Sequence, residues 1–214
     1  MFKAYKHILW DWNGTLLNDC ALCVAILNQL LSEHGLAELS AEAYKEHFGF
    51  PVIDFYSYLG FRTDPENFKK LSHQFIGQYE VRWLNECQLQ PHASDLLERL
   101  TKMGLSHSIV SAAHQKALEK GTSHFGIKPL FENLLGTDNI YAEGKVRRAE
   151  LWMEQGAWQK DSVLLIGDTP HDYETAQAID VDCILIASGH CHRSRLESTG
   201  SKVFENISTL LNEL

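Results

Sequence analysis

Residues 163–187 read VLLIGDTPHDYETAQAIDVDCILIA. Two continuous apolar runs, VLLIG at 163–167 and CILIA at 183–187, enclose a polar stretch whose spacing predicts a helix near 171–179. An unbroken apolar run needs cover on both faces, which is the situation of a parallel strand between helical layers. Strands alternating with helices then imply an α/β sheet. The same texture runs upstream. A helix over 92–103 stops at Gly104, a β-rich run fills 105–110, and a helix around 113–123 follows. Next come a short apolar piece at Leu134–Leu135 and a helix around 146–155, and a last short helix lies after Asn206. Near the start, HILWDW at 7–12 reads as one more buried strand, cut by the breaker pair Asn13-Gly14.

Between residues 19 and 89 the pattern is helical instead. Cys23, Leu27 and Leu30 recur at helical spacing, and Asp64-Pro65 supplies an N-cap and an N1 proline for a long amphipathic helix. Its apolar stripe runs Phe68, Leu71, Phe75, Tyr79, Trp83 and is assigned to packing within a small helical domain rather than to a ligand pocket. The expected fold is α/β: a Rossmann-like parallel sheet core from residues 1–18 and 90–214, interrupted by a helical domain at 19–89.

Composition narrows the partners. At 44% hydrophobic and 22% charged, 214 residues make an ordinary globular chain with enough length for a core without disulfide staples. Lys plus Arg number 19 against 28 Asp plus Glu, a net charge of -9, which disfavours nucleic acid and anionic membrane surfaces as partners. The acidity is spread: 10 acids face 5 bases in 19–89, and 18 face 14 elsewhere. No run of 18 apolar residues offers a membrane span. The opening segment is not read as a secretory leader, because Asp11 interrupts its apolar run. Cys20 and Cys23 form a C-x-x-C within an apolar helical stretch and are expected as core packing, so the chain is placed in a reducing, cytoplasmic compartment.

Open parallel sheets bind ligands beyond the carboxyl ends of their strands. Those ends carry Asp11-Trp12-Asn13-Gly14-Thr15, then Ser111-Ala112, then Asp168-Thr169-Pro170-His171-Asp172. Carboxylates converging on one edge repel unless a hard cation joins them, and Mg²⁺ suits one or two carboxylates plus a phosphate oxygen.

These residues resemble the haloacid dehalogenase superfamily. Asp11-x-Asn13-Gly14-Thr15-Leu16 is similar to its first motif, D-x-D-G-T-L, with one change. Ser111, Lys145 and GDTPHD, with Asp168 and Asp172, fall where its second, third and fourth motifs stand. The segment from Pro91 onward most resembles the phosphoglycolate phosphatase-like group, and the 19–89 insertion resembles the family's first-type helical cap. The resemblance implies a Mg²⁺-dependent phosphatase acting on a small phosphorylated metabolite through an aspartyl-phosphate. Asp11 would be the nucleophile, and Ser111 and Lys145 would grip the phosphoryl group. Asp11, the main-chain carbonyl of Asn13 and Asp168 would hold the metal, with Asp172 supporting its shell or orienting Lys145. Trp12, Gly14, Thr15 and Ala112 would contact substrate.

Asn13 departs from the pattern, because the family's phosphatases usually carry there an aspartate that serves as general acid and base. An amide shuttles no proton at neutral pH, and losing such a group costs roughly 10²–10⁴ in rate. One reading is a phosphatase that favours good leaving groups or recruits another acid, such as His171. The alternative is a catalytically weak phosphate-binding or regulatory protein. The dehalogenase and phosphonatase branches also lack this aspartate, but GDTPHD argues against the metal-free first and no lysine motif supports the second. Ser111 could also cap the following helix. His190-Cys191-His192 is read as a surface loop. Phe48-Gly49-Phe50-Pro51 is either a substrate-inspecting loop or a turn packed by its two aromatics.

Overall fold

The structure, a computed structural model, describes residues 1–138, 144–156 and 158–214. Six strands form one parallel sheet: β1 (His7–Trp10), β4 (Ser106–His114), β5 (Asn133–Thr137), β6 (Val163–Gly167), β7 (Asp182–Ile186) and β8 (Lys202–Phe204). Their order across the sheet is β5-β4-β1-β6-β7-β8, every pair parallel. Counted along the chain this is the doubly wound order 3-2-1-4-5-6, which places the topological switch beside β1.

The apolar runs explain the layering. Along β1, Ile8 and Trp10 join one apolar cluster while Leu9 joins another on the opposite face. On β6, Leu164 and Ile166 likewise face away from Val163 and Leu165. Period-two alternation with apolar residues on both faces demands helices on both faces. They are α5 (Ala93–Lys102) and α6 (Gln115–His124) near β4, and α7 (Val146–Gln155) and α8 (Pro170–Ile179) against β5, β6 and β7. Two short helices, α9 (Arg193–Glu197) and α10 (Ile207–Leu211), flank β8, and Asn206 caps the latter through the Thr209 amide.

Between β2 (Leu17–Asn18) and β3 (Gln88–Leu89), which pair antiparallel, the chain makes four helices. These are α1 (Cys20–Glu33), α2 (Ala41–His47), α3 (Val52–Tyr58) and α4 (Pro65–Glu86). The expected start of α4 holds: the Asp64 carboxylate accepts the Asn67 amide at 3.2 Å, with Pro65 at the first helical position. α4 leans on α6, where Trp83 and Trp12 crowd Gly121 so closely that a Cβ there would lie 2.6 Å from the Trp83 ring.

The sequence-based expectations differ from the structure in two places that affect the site. β4 runs on to His114 instead of stopping at Val110, with a register shift between Val110 and His114. Ser111, Ala112 and Ala113 therefore lie on an irregular strand end, a device that re-aims side chains beside active sites. The helix that follows starts at Gln115, and His114 caps it through the Lys116 amide, so Ser111 is not its cap. Second, β2, β3 and the edge strand β8 were not anticipated, being two or three residues long with little periodicity to detect. All five cysteines are free, with Cys20 and Cys23 buried in the core as expected. No helix among the described residues is long and apolar enough to cross a membrane.

Two helical glycines give opposite expectations. Gly77 in α4 is exposed with nothing within 4 Å of a would-be Cβ, so Gly77→Ala should stabilise by about 0.5–1 kcal/mol. Gly121→Ala should destabilise by about 1–3 kcal/mol through overpacking against Trp83 and Trp12. Denaturant midpoints compare the two, and a shared sign would contradict the packing described at the α4–α6 contact.

Candidate active site

Asp11 follows β1 directly, and its amide donates to the Ile166 carbonyl at 2.9 Å, so the sheet fixes its backbone. Lys145 stands at the N-terminus of α7, with its ammonium in contact with both the Asp11 and Asp172 carboxylates. Asp172 is held in turn at the start of α8: one of its oxygens accepts from the Asp168 amide (3.1 Å), the Thr169 amide (2.9 Å) and the Thr169 hydroxyl (2.8 Å). The capping box of α8 thus fixes the partner of the site lysine. Asp168 accepts from the Thr15 hydroxyl at 2.8 Å and from the His190 amide at 2.7 Å. Gly14 permits this approach, since it sits at φ +80 and a Cβ would lie 2.2 Å from the Asp168 carboxylate.

Burial sets the electrostatics. Asp11, Lys145, Asp168 and Asp172 are all buried. Desolvation pushes Asp11 up, with Asp172 and Asp168 adding to it and Lys145 opposing. Asp168 is pushed up to about 6, chiefly by burial. Asp172 stays below the usual carboxylate range despite burial, because Lys145 and the Thr169 hydrogen bonds favour its charge. Lys145 is held charged despite burial by Asp11 and Asp172. Three carboxylates present oxygens within 4.8 Å of one another beside a single ammonium. That donor set suits a divalent cation with oxygen ligands.

A second polar cluster adjoins the first. Asn13 donates from its amide nitrogen to the Asp19 carboxylate at 2.7 Å and to the Tyr79 hydroxyl at 3.0 Å. Asp19 also accepts from the Tyr79 hydroxyl (2.7 Å), the Gly14 amide (3.1 Å) and the His190 ring (3.0 Å). Despite burial, His190 and these donors hold Asp19 below its ordinary value. Against its own desolvation, His190 is raised by Asp19, and its other ring nitrogen shares a hydrogen bond with the Tyr44 hydroxyl at 2.9 Å. The surface reading of His190 is therefore corrected: it is buried in an ion pair between the loop after β7 and the start of α1. The sequence carried one signal for this pair, a carboxylate six residues beyond an asparagine that stands where the family pattern has an acid.

Both clusters open on a cavity of about 200 Å³. Asp11, Trp12, Asn13, Ser111, Ala112 and Lys145 all line it, as the sequence grouped them. The Ser111 oxygen accepts the Ala113 amide at 3.0 Å, which leaves its proton available. Thr15 and Gly14 do not line the cavity; they serve the Asp168 and Asp19 carboxylates. His171 lines it as a half-buried ring whose Nδ1 has no hydrogen-bond partner among the described residues, and burial followed by Lys145 lowers its proton affinity. Four of the five stripe residues on α4, Phe68, Phe75, Tyr79 and Trp83, line the cavity, which corrects the reading of that stripe as packing alone. Phe48 and Phe50 line it as well, with Phe50 against His171 (4.7 Å between ring centres) and Phe48 against His190 (5.4 Å).

Comparison with known proteins agrees with this geometry. Residues 8–186 match the family of haloacid dehalogenase-like hydrolases. Over 225 aligned residues the chain is 24% identical to a phosphoglycolate phosphatase of Haemophilus influenzae, covering all of both proteins. It is 23% identical to the pyrophosphatase PpaX of Oceanobacillus iheyensis, over 86% of this chain and 84% of that protein. A haloacid dehalogenase-like family hydrolase from Streptococcus pneumoniae shares the fold at a TM-score of 0.82 and 17% identity, with 99% of each chain covered. With the parallel sheet, the switch-point carboxylates and a family match across most of its length, the chain belongs to the haloacid dehalogenase-like hydrolases.

Proposed function

We propose that the protein is a Mg²⁺-dependent phosphatase that hydrolyses a small phosphorylated metabolite through an aspartyl-phosphate on Asp11. The observation that carries this reading is the Lys145 ammonium, buried between Asp11 and Asp172 at the switch point of the sheet. Such a cation stands where an incoming phosphoryl group meets its nucleophile. An Asp11 oxygen attacks phosphorus in line and forms an O–P bond as the ester O–P bond breaks. Lys145 and the Ser111 hydroxyl hold phosphoryl oxygens during transfer. Water then attacks the same phosphorus, releasing phosphate and regenerating the Asp11 carboxylate.

The donor set fits Mg²⁺, which would be held by Asp11, Asp168 and the main-chain carbonyl of Asn13, and which supplies charge neutralisation for the phosphoryl oxygens. Asp172 belongs to the lysine rather than to the metal, because one of its oxygens takes three hydrogen bonds and the other faces Lys145. Residues 19–89 act as a cap domain over the core of 1–18 and 90–214. Support for this comes from the aromatic contacts of Phe48 and Phe50, and from Arg195, which donates to the Lys45 and Phe48 carbonyls at the end of α2. The free cysteines suit a cytoplasmic setting. Asn13 keeps a second reading in play, a phosphate-binding protein of weak turnover, since both of its amide protons are committed to Asp19 and Tyr79.

Asp11→Asn should lower Mg²⁺-dependent release of phosphate from aryl phosphates by roughly 10³-fold or more. A parent protein inert toward every phosphomonoester, with and without Mg²⁺, would leave only the binding reading. Asn13→Asp should not improve the enzyme, although it restores the family residue. It places a second carboxylate where the amide meets Asp19 at 2.7 Å, and one of the two must take a proton. We expect a loss on the order of 1–3 kcal/mol in stability. Asn13→Asp combined with Asp19→Asn relieves the carboxylate clash but removes the partner of His190, so it should recover only part of that loss, as thermal unfolding of the parent and the two variants will show.

A further inference from the structure

The leaving-group side of the cavity differs sharply from its phosphoryl side. Phe48, Phe50, Phe75, Tyr79, Trp83 and Trp12 surround it, five from the helical insertion and one from the core. Its volume, about 200 Å³, is below the roughly 300–1,000 Å³ of sites that hold drug-sized ligands, so the group it takes is small.

Cations are scarce. No arginine is among the described residues that line the cavity, and Lys145 is bound to Asp11 and Asp172. The His190 ring is paired with Asp19, and Glu80 adds a negative charge at the wall. His114 and His171 are the other basic side chains of the wall, and neither carries the fixed charge of an arginine or lysine, so a substrate tail bearing a carboxylate or a second phosphate would lose its hydration there for little return, which is costly for a charge.

Asn13 points the same way. Its two amide protons go to Asp19 and to the Tyr79 hydroxyl, which itself donates to Asp19. The residue in the acid position therefore has no proton for a departing oxygen. An ester whose oxygen leaves readily as an anion needs none. A phenol ionises near pH 10, far more easily than an alkanol.

On the reading of the site as a phosphatase, we infer that its substrates are monoesters of small uncharged aromatic alcohols, the ring seated among Phe48, Phe75, Tyr79 and Trp83 and the ester oxygen leaving without protonation. In chemical balance, the aryl O–P bond breaks as the Asp11 O–P bond forms. The phenolate departs with the bonding pair and takes its proton from water.

The test compares phenyl phosphate, benzyl phosphate and 2-phosphoglycolate as substrates with Mg²⁺, and measures their binding to Asp11→Asn by quenching of Trp12 and Trp83 fluorescence. Phenyl phosphate should exceed 2-phosphoglycolate by at least about 100-fold in kcat/KM. Benzyl phosphate should match phenyl phosphate in affinity but fall roughly 10²-fold or more in kcat, because its oxygen needs an acid. Phe75→Ala should raise KM for phenyl phosphate about tenfold. Equal or better turnover of 2-phosphoglycolate overturns the inference and leaves the phosphatase reading standing. A benzyl ester cleaved as fast as the phenyl ester overturns the claim about protonation. A protein that hydrolyses none of the three, yet binds phenyl phosphate tenfold or more tighter than 2-phosphoglycolate, supports the pocket assignment and sinks the phosphatase instead.

Discussion

Lys145, buried with its ammonium between Asp11 and Asp172, is the constraint on which the rest of the site depends. Desolvating an ammonium is costly unless carboxylates and hydrogen bonds surround it. Each element of the core helps to meet that condition. β1 leads directly into Asp11, the first turn of α8 presents Asp172 through its own cap, and Lys145 itself precedes α7. Three carboxylates beside one ammonium still carry excess negative charge, which adds to burial in displacing Asp11 and Asp168 upward. The proposed reaction uses this surplus: a divalent cation would offset it, and the cation with Lys145 would then receive the anionic phosphoryl group.

The second cluster has a different character. Asp19 and His190 form a closed ion pair, with donors from Asn13, Gly14 and Tyr79 on the carboxylate and a hydrogen bond between Tyr44 and the imidazole. Tyr44 and Tyr79 belong to α2 and α4, so this pair ties the inserted helices to the loop after β7. Asn13 thereby joins a network that stabilises the charge on Asp19, and a carboxylate at position 13 would be out of place in it. The substitution that made the first motif look defective is coherent with its surroundings.

Much of the fold was legible because burial on both sheet faces forces unbroken apolar strands, as in VLLIG and CILIA. The grouping of Asp11, Asn13, Ser111 and Lys145 around one cavity was legible too, since strand ends in such a sheet converge on a shared edge. What the sequence concealed depends on long-range placement. Asp19 reads locally as the residue before a helix, and His190 as part of a polar loop; only the tertiary fold brings them to 3.0 Å. The α4 stripe has helical spacing that fits a core or a cavity wall equally well, because both are apolar surfaces removed from water. The irregular end of β4, which carries Ser111, has no periodic signature at all.

The central claim is that phosphorus passes through Asp11. Acid quenching during turnover of an aryl phosphate, followed by borohydride reduction and peptide mass analysis, tests it most directly. The account predicts that Asp11, as an acyl phosphate, is reduced to homoserine in the peptide carrying residues 7–15. A turning-over enzyme whose Asp11 peptide stays unmodified, or that carries phosphate on another side chain, would contradict it.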